Sequence, residues 1–596
     1  MCGINGFNFS NNKIINNMNL SLKHRGPNGK GIYVDKNVSL GQVRLSILDL
    51  SNAGKQPMNY KHKNIELEIV FNGEIYNYVE IKDELLKKGY LFKSNSDTEV
   101  ITAAYIEYGE DCVKKFNGMW AFVIYDKNKK LLFCSRDRFG VKPFYYYFKD
   151  KKFIFSSELK GILEHKQCNI NRFENINKKA LDLYFTLGFI PSPYTIYNSV
   201  FKLSQGNNLI FDIKKNNIVI KKFYDLPKYK PIKNKNQLLN EGKSLLENAV
   251  KIRMRSDVPI GAFLSGGLDS SSVVGLMRNF TELKKLNTFS IGFENEFDET
   301  KYINIVKNFY KTKHHNYSFK NNDFEKWIDK FTFHFDEPFA DYSLFPTFQV
   351  SELAKKKVTV VLSGDGGDEI FGGYNIYKAP LIINLLKIIP INLRKKLEKI
   401  INIKKIKNMI QKSIEKKEDF YSNKFDNENY MYWTSKNLRY CLKKADNNLV
   451  EALRIYDILF NTLGDNYCTK VDRASMAYAI EVRSPFLDYR LIEYSQKIPS
   501  RLKVNFNQTK IFMRELVKDI VPKEIINLKK HGFGAPISYW FKNLKFDSKS
   551  EKELKSIKKI SKYWYTFFKN TENNEELNIR LFFFNKWGKK WIKKYF

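Results

Sequence analysis

The chain has 596 residues, room for two to four domains, and its 43% hydrophobic content is that of a globular protein rather than a disordered one. Lys and Arg outnumber Asp and Glu by 101 to 64, a net charge of +37, but Lys, Asn, Ile, Phe and Tyr are raised together, as AT-rich coding would produce, so charge alone assigns no nucleic-acid role. No run of eighteen apolar residues occurs, no basic stretch precedes an apolar one at the N-terminus, and the cysteines at 2, 112, 134, 168, 441 and 468 form no close pair, so neither a spanning helix, a secretory signal, a disulfide framework nor a zinc ribbon is expected. The expectation is a cytoplasmic protein.

Up to about Ile220 the pattern predicts short strands with polar turns, among them Ile65 to Phe71, Trp120 to Tyr125, Leu131 to Ser135 and Lys152 to Ser156. Helices are predicted over Tyr78 to Lys88 and Ser96 to Tyr108, the second because Asp97 and Thr98 precede a periodic apolar face. Many strands with few helices imply a sheet-on-sheet core covered by helices. Asp225 to Gln237 holds two prolines and little apolar content, a linker signature. Beyond it, helix Gln237 to Ser256, strand Val258 to Leu264 and helix Ser271 to Arg278 begin a strand–helix alternation, continued by strands Leu286 to Gly292 and Val358 to Leu362. Such alternation implies a parallel sheet whose ligands sit at the carboxyl ends of its strands. From about Pro380 the chain is lysine-rich and mainly helical. The basic segment Leu393 to Lys417 and the aromatic tail from Lys555 are expected to be solvated helices packing on the second domain.

Cys2 directly follows the initiator methionine. If Met1 is removed, one residue carries both a thiol and an α-amine that titrates near 7.7–8.0 and can take the thiol proton. Asn72 and Gly73 are expected at a strand end, where an amide and a backbone N–H can converge on a developing oxyanion. Arg44 and Asp97 offer opposite charges for the carboxylate and ammonium of an amino acid. Taken singly, these residues read as a hairpin turn, a surface charge and a helix cap. Their joint occurrence with Cys2 carries the reading.

MCGI at the start, HRGP at 24–27, RLSILDLS at 44–51, FNGEIYNY at 71–78, SDTEVI at 96–101 and RDRFGVKPFYY at 136–146 resemble the class-II glutamine amidotransferase domain. The resemblance implies an N-terminal-nucleophile (αββα) sandwich over residues 2–220 in which Cys2 attacks the glutamine side-chain amide and releases ammonia. It further implies that Asn72 and Gly73 form the oxyanion hole. Arg44 and Asp97 would clamp the glutamine, with the Glu74 region near its α-amine.

A second constellation follows the linker, residues 221–237. Phe263-Leu264-Ser265-Gly266-Gly267-Leu268-Asp269-Ser270-Ser271 joins an apolar strand to a helix, so glycine N–H groups, serine hydroxyls and a helix N-terminus face one point, as pyrophosphate binding needs. It is not a Walker A loop. Asp269 can hold Mg²⁺, which takes one or two carboxylates and keeps waters. Ser363-Gly364-Asp365-Gly366-Gly367-Asp368 repeats the logic, with Asp368 as a second metal carboxylate.

With TFSIGF at 288–293, DEPFADYSLFPT at 336–347, KVDRASMA at 470–477 and EVRSPFLD at 481–488, both loops resemble the ATP-pyrophosphatase domain of the asparagine synthetase superfamily. The resemblance implies an α/β parallel-sheet domain, of the adenine nucleotide alpha hydrolase kind, with a helical C-terminal part over 238–596. It places the pyrophosphate of ATP on Ser265 to Ser270, the adenine near Leu264 and Ile291, and the ribose near Ser363-Gly364. A carboxylate would attack the α-phosphate, and ammonia arriving through an internal tunnel would displace AMP. Lys530, before a Gly-Phe-Gly turn, resembles the family lysine that neutralises the reacting phosphate, and Lys510 is the second choice. Asp365 stands where some asparagine synthetases carry a glutamate that guides ammonia attack. The leading expectation is therefore asparagine synthesis from aspartate, glutamine and ATP with Mg²⁺. The alternative keeps both half-reactions but amidates another carboxylate, such as a polysaccharide uronic acid. No nucleic-acid or membrane partner is expected, and the family allows a homodimer.

Overall fold

The computed structural model describes residues 2–293, 299–319, 324–341, 343–422, 427–528, 551–570 and 574–592. Twelve strands fill its first part: β1 (Gly3–Phe7), β2 (Gly29–Val34), β3 (Ser39–Arg44), β4 (Met58–His62), β5 (Ile65–Ile75), β6 (Gly118–Asp126), β7 (Leu131–Arg136), β8 (Tyr145–Lys149), β9 (Lys152–Ser156), β10 (Val200–Lys202), β11 (Asn207–Asp212) and β12 (Asn217–Lys222). They form two antiparallel six-stranded sheets, ordered β10-β8-β9-β1-β3-β2 and β12-β11-β7-β6-β5-β4. Ile4 and Leu40 of one sheet meet Val70, Val123, Leu132 and Leu209 of the other in a buried layer between them. Helices Tyr78–Lys87 and Asp97–Tyr108 cover the outer face of the second sheet through Ile81, Leu85, Val100 and Ala104. Helices Asn12–Ser21 and Lys178–Leu187 cover the first through Ile15, Met18, Leu181 and Tyr184. The layers run αββα. Because β5 and β6 are covered on both faces, β6 is buried along nearly its whole length.

β5 runs past its expected end. Asn72 and Gly73 lie opposite Ala121 and Trp120 inside the sheet, not at a strand end or in a hairpin turn. Gly73 has φ +157, and a Cβ there would meet Met119 O at 2.1 Å, so only glycine lets β6 approach.

The linker is stitched down. Tyr229, Lys230 and Ile232 donate their backbone N–H groups to the carbonyls of Lys444, Gln496 and Lys497, Leu226 is buried, and helix Lys235–Arg253 starts from the Asn234 cap. The second part holds β13 (Ile260–Phe263), β14 (Asn287–Phe293), β15 (Lys313–Phe319), β16 (Val360–Leu362) and β17 (Glu481–Arg483), all parallel and ordered β15-β14-β13-β16-β17. The chain grows outward from β13 to one side and then crosses to β16 on the other. The loops after β13 and β16 therefore open side by side, at a topological switch point.

The apolar stretch from Ala379 divides into helices Ala379–Leu386 and Ile391–Ile400, and among the described residues no single helix is long and apolar enough to cross a membrane. The tail corrects the sequence reading. Helix Glu575–Trp591 is not solvated: Leu577, Leu581, Phe584 and Trp587 join the core beneath the first sheet, while Ile579, Phe582 and Phe583 join the core of the parallel-sheet part. The segment 393–417, by contrast, is largely exposed.

Candidate functional sites

Cys2 sits at the mouth of β1, buried, with its backbone nitrogen 3.0 Å from Asn72 Oδ1. Alternation along β5 sends Val70, Asn72 and Glu74 to the same side, so the sheet itself aims Asn72 at Cys2. Asn72 is fully buried, and its Nδ2 has no hydrogen-bond partner among the described residues. A buried amide donor without an acceptor costs about 1–3 kcal/mol, an arrangement suited to receiving an oxyanion. Burial pushes the Cys2 thiol up, against a hydrogen bond from the Leu45 backbone and the charge of Arg44. The thiol thus requires a base to become a nucleophile.

Arg44 ends β3 and donates to Ser51 O (3.0 Å) and Asp49 O (2.5 Å), so the 48–51 loop fixes its guanidinium. Asp97 opens its helix beyond the Ser96 cap and accepts the Ile75 N–H at 2.9 Å. Burial pushes its carboxyl up to about 7, against that hydrogen bond. Glu74 is paired with Arg483 at 3.3 Å, and burial beside Glu481 pushes its carboxyl well up. Glu481 and Arg483, on β17, are the part of this site that sequence reasoning missed. Their place some 400 residues away leaves no local signal; the only clue was the motif EVRSPFLD itself.

The second site is a cavity of about 430 Å³ at the carboxyl ends of β13, β14 and β16. Of the residues singled out in sequence, Leu264, Ser265, Gly267, Asp269, Ser270, Ile291, Ser363, Gly364, Asp365 and Asp368 line it. Gly266 does not; its φ of +75 turns it toward helix Thr300–Tyr310. Ser270 Oγ accepts the Ser265 N–H at 3.2 Å, which closes the first loop. A Cβ on Gly364 would lie 2.6 Å from Ser270 N, so glycine brings the second loop against the first. Asp365 accepts from Ser363 Oγ and Tyr467 Oη, each at 2.9 Å, and burial pushes its carboxyl up.

Lys510 also lines the cavity. Its ammonium is paired with Asp269 and lies 2.6 Å from Asp368, and despite burial these two charges raise its pKa. Arg514, four residues on along helix Ile511–Leu516, is a further cavity residue that sequence reasoning missed, although its spacing from Lys510 offered a signal. Lys530 lies outside the described residues. Asp269 and Asp368 converging on one ammonium show that a cation fits between them. Two carboxylates completed by phosphate oxygens are a donor set that suits Mg²⁺.

Buried charges join the two sites. Arg25, fully buried, donates to Asp472 at 2.8 and 3.0 Å, to Glu158 at 2.8 Å and to Cys2 O at 3.1 Å. Arg473 pairs with Glu158 at 2.9 Å and Asp336 at 3.0 Å. Arg483 reaches both sites: its side chain holds Glu74, and its carbonyl accepts the Ser363 N–H at 2.9 Å.

Residues 1–224 match the family described as glutamine amidotransferase domain, and residues 241–565 match the family described as asparagine synthase. A putative asparagine synthetase [glutamine-hydrolyzing] 2 of Methanocaldococcus jannaschii is 54% identical over 510 residues, covering 80% of this chain and 98% of that one. The chain belongs to the asparagine synthetase family. Asparagine synthetase [glutamine-hydrolyzing] 1 of Bacillus subtilis is 35% identical, covering 89% of this chain and 85% of its own length. A putative asparagine synthetase [glutamine-hydrolyzing] of Mycobacterium tuberculosis is 31% identical, covering 87% and 84%. In this family member the first site lies in the amidotransferase part and the cavity in the synthetase part.

Proposed function

We propose that the chain makes asparagine from aspartate, using glutamine as the nitrogen donor and ATP as the activating substrate. The observation that carries the reading is the union, in one chain, of a cysteine–asparagine pair at the head of β1 with a nucleotide-sized cavity between Ser265–Ser270 and Ser363–Asp368. In this reading residues 2–220 form the glutaminase unit, 221–237 the connection and 238–596 the synthetase unit, with helix Glu575–Trp591 shared between the two, and the protein works in the cytoplasm.

Cys2, with Met1 removed, attacks the glutamine amide carbon, its α-amine taking the thiol proton. Asn72 Nδ2 and the Gly73 N–H receive the oxyanion; the α-ammonium returns its proton to the amide nitrogen, the C–N bond breaks and ammonia leaves, and water hydrolyses the thioester to glutamate and the free thiol. Arg44 and Asp97 orient the substrate's carboxylate and ammonium. Glu74 acts through its pairing with Arg483. In the cavity, Ser265, Gly267 and Ser270 hold the pyrophosphate, Leu264 and Ile291 face the adenine, and the aspartate carboxylate attacks the α-phosphate, breaking its bond to the β-phosphate so that pyrophosphate leaves and a β-aspartyl-adenylate remains. Ammonia passing inside the protein then displaces AMP, with Asp365 at the entry. We assign the charge-neutralising role at the α-phosphate to Lys510, which lines the cavity. Asp269 and Asp368 would hold Mg²⁺, which would supply charge neutralisation at the phosphates.

The test is pyrophosphate release from ATP, Mg²⁺ and glutamine with and without L-aspartate, with asparagine identified by mass. Aspartate-dependent release with matching asparagine is expected. Cys2→Ala is expected to lose glutamine-dependent synthesis and keep synthesis from ammonia. Glutaminase activity without aspartate-dependent pyrophosphate would overturn the choice of acceptor. The relatives' names do not favour the uronic-acid alternative.

A further inference from the structure

Between Lys387 and Lys417 the sequence carries eleven Lys and Arg against two glutamates. Two helices of this stretch, Ile391–Ile400 and Lys404–Ile414, pack as a hairpin. Its base is anchored: Ile410 is buried, and Arg394 donates to Ile389 O at 2.9 Å and Ser413 Oγ at 3.1 Å. Its tip is not, for every side chain from Asn402 to Asn408 is exposed. Ile400 is 72% exposed, Ile403 62% and Ile406 46%. Around them Lys399, Lys404, Lys405 and Lys407 make no ion pair among the described residues. Compositional drift raises lysine and isoleucine alike, but here three isoleucines 46–72% exposed gather at one hairpin tip among lysines.

The chemistry selects the occupant. A second copy of the chain would set these lysines against their own equivalents. Nucleic acid would meet the lysines but leave the isoleucines without a partner. An anionic phospholipid surface uses both, since aliphatic side chains enter the headgroup–acyl boundary while lysines reach the phosphates. We propose that this hairpin docks the protein on an anionic membrane surface through Ile400, Ile403 and Ile406 and the lysines beside them. The proposal stands apart from the asparagine-synthesis reading and adds a surface contact to a chain for which sequence predicted no membrane partner.

The test is flotation of the full-length protein with vesicles of equimolar phosphatidylglycerol and phosphatidylcholine, against phosphatidylcholine alone. Recovery only with the anionic vesicles is expected, falling as salt is raised. Ile400→Ser/Ile403→Ser/Ile406→Ser and Lys404→Gln/Lys405→Gln/Lys407→Gln should each lower recovery at least about ten-fold, with the unfolding midpoint and ammonia-dependent synthesis unchanged. Ile403→Ser alone serves where a triple variant fails to fold. Equal recovery of wild type and variants, or no flotation, would overturn the proposal. So would a dimer in sedimentation equilibrium that the isoleucine variant dissolves while neither protein floats.

Discussion

Asp97 concentrates the electrostatics of the amidotransferase site in one carboxyl. Burial is the largest influence on it and the nearby Glu481 adds to it, while the Ile75 N–H and Arg483 act the other way, leaving a value of about 7. Above that pH Asp97 is a carboxylate and below it a neutral acid, so in the proposed role it would hold a substrate ammonium by charge only above that pH. Glutamine binding should therefore weaken as pH falls through 7. Steady-state glutaminase assays are expected to show KM for glutamine rising about ten-fold per pH unit below 7, separate from the fall in kcat that protonation of the Cys2 α-amine brings, and Asp97→Asn should raise KM and remove its pH dependence while leaving that of kcat. Glu74, Glu481 and Arg483 face the same point, so Glu74→Gln is the control that separates their titration from that of Asp97. A KM that stays constant below pH 7 would remove Asp97 from the ammonium-binding role. Most of this site was legible because its residues occur in short motifs: Cys2 in MCGI, Asn72 and Gly73 in FNGE, Asp97 in SDTE. In sequence Lys530 precedes a Gly-Phe-Gly motif, whereas Lys510 has no distinguishing neighbour. Its pairing with two carboxylates exists only once the loops after β13 and β16 and the start of helix Ile511–Leu516 meet.

At the scale of elements, periodicity identified what one face decides and missed what two faces decide. The strands of the first part were readable from short apolar runs between turns, but β5 continues four residues past Phe71 because Asn72 and Glu74 are polar residues turned inward to a site rather than outward to water. Helix Glu575–Trp591 shows the same limit. Its lysine-rich end reads as solvent-facing, yet the segment Leu577–Trp587 is apolar on nearly every side, the pattern of a helix buried between two cores. Trp587 is the sharpest case: it is 2% exposed, packs beneath the first sheet, and donates its indole N–H to Asp336 O at 3.0 Å. Trp587→Ala should cost about 3–5 kcal/mol of stability, read as a lower denaturant midpoint. Trp587→Phe should recover part of that loss, because it restores ring volume but not the hydrogen bond. A tail helix merely resting on the surface would give less than about 1 kcal/mol for either change.

Over the whole molecule, charge divides into two populations with different physics. The excess lysines lie outside, where screening makes each worth little. The charges between the two parts are buried and paired, and there the cost of removing one partner is large. Sequence could show that HRGP, KVDRASMA and EVRSPFLD were present, but not that Arg25 of the first would donate to Asp472 of the second, 447 positions away. That contact depends on how the two parts dock, which no local pattern encodes. Its consequence is that the amidotransferase site and the synthetase part share one charged framework: Arg25 holds the Cys2 carbonyl and Asp472 together, while Arg483 holds Glu74 and the Ser363 N–H. Asp472→Ala leaves a buried guanidinium with Glu158 as its remaining carboxylate, and should lower stability by about 3–5 kcal/mol. If the framework also positions the two sites, the same variant should release more glutamate than asparagine, because ammonia formed at Cys2 no longer reaches the cavity in step with aspartate activation. Measuring both products in one reaction separates these effects. A stability loss with glutamate and asparagine still matched would make Arg25–Asp472 a structural tie alone, whereas excess glutamate in a folded variant would show that docking the two parts also sets their coupling.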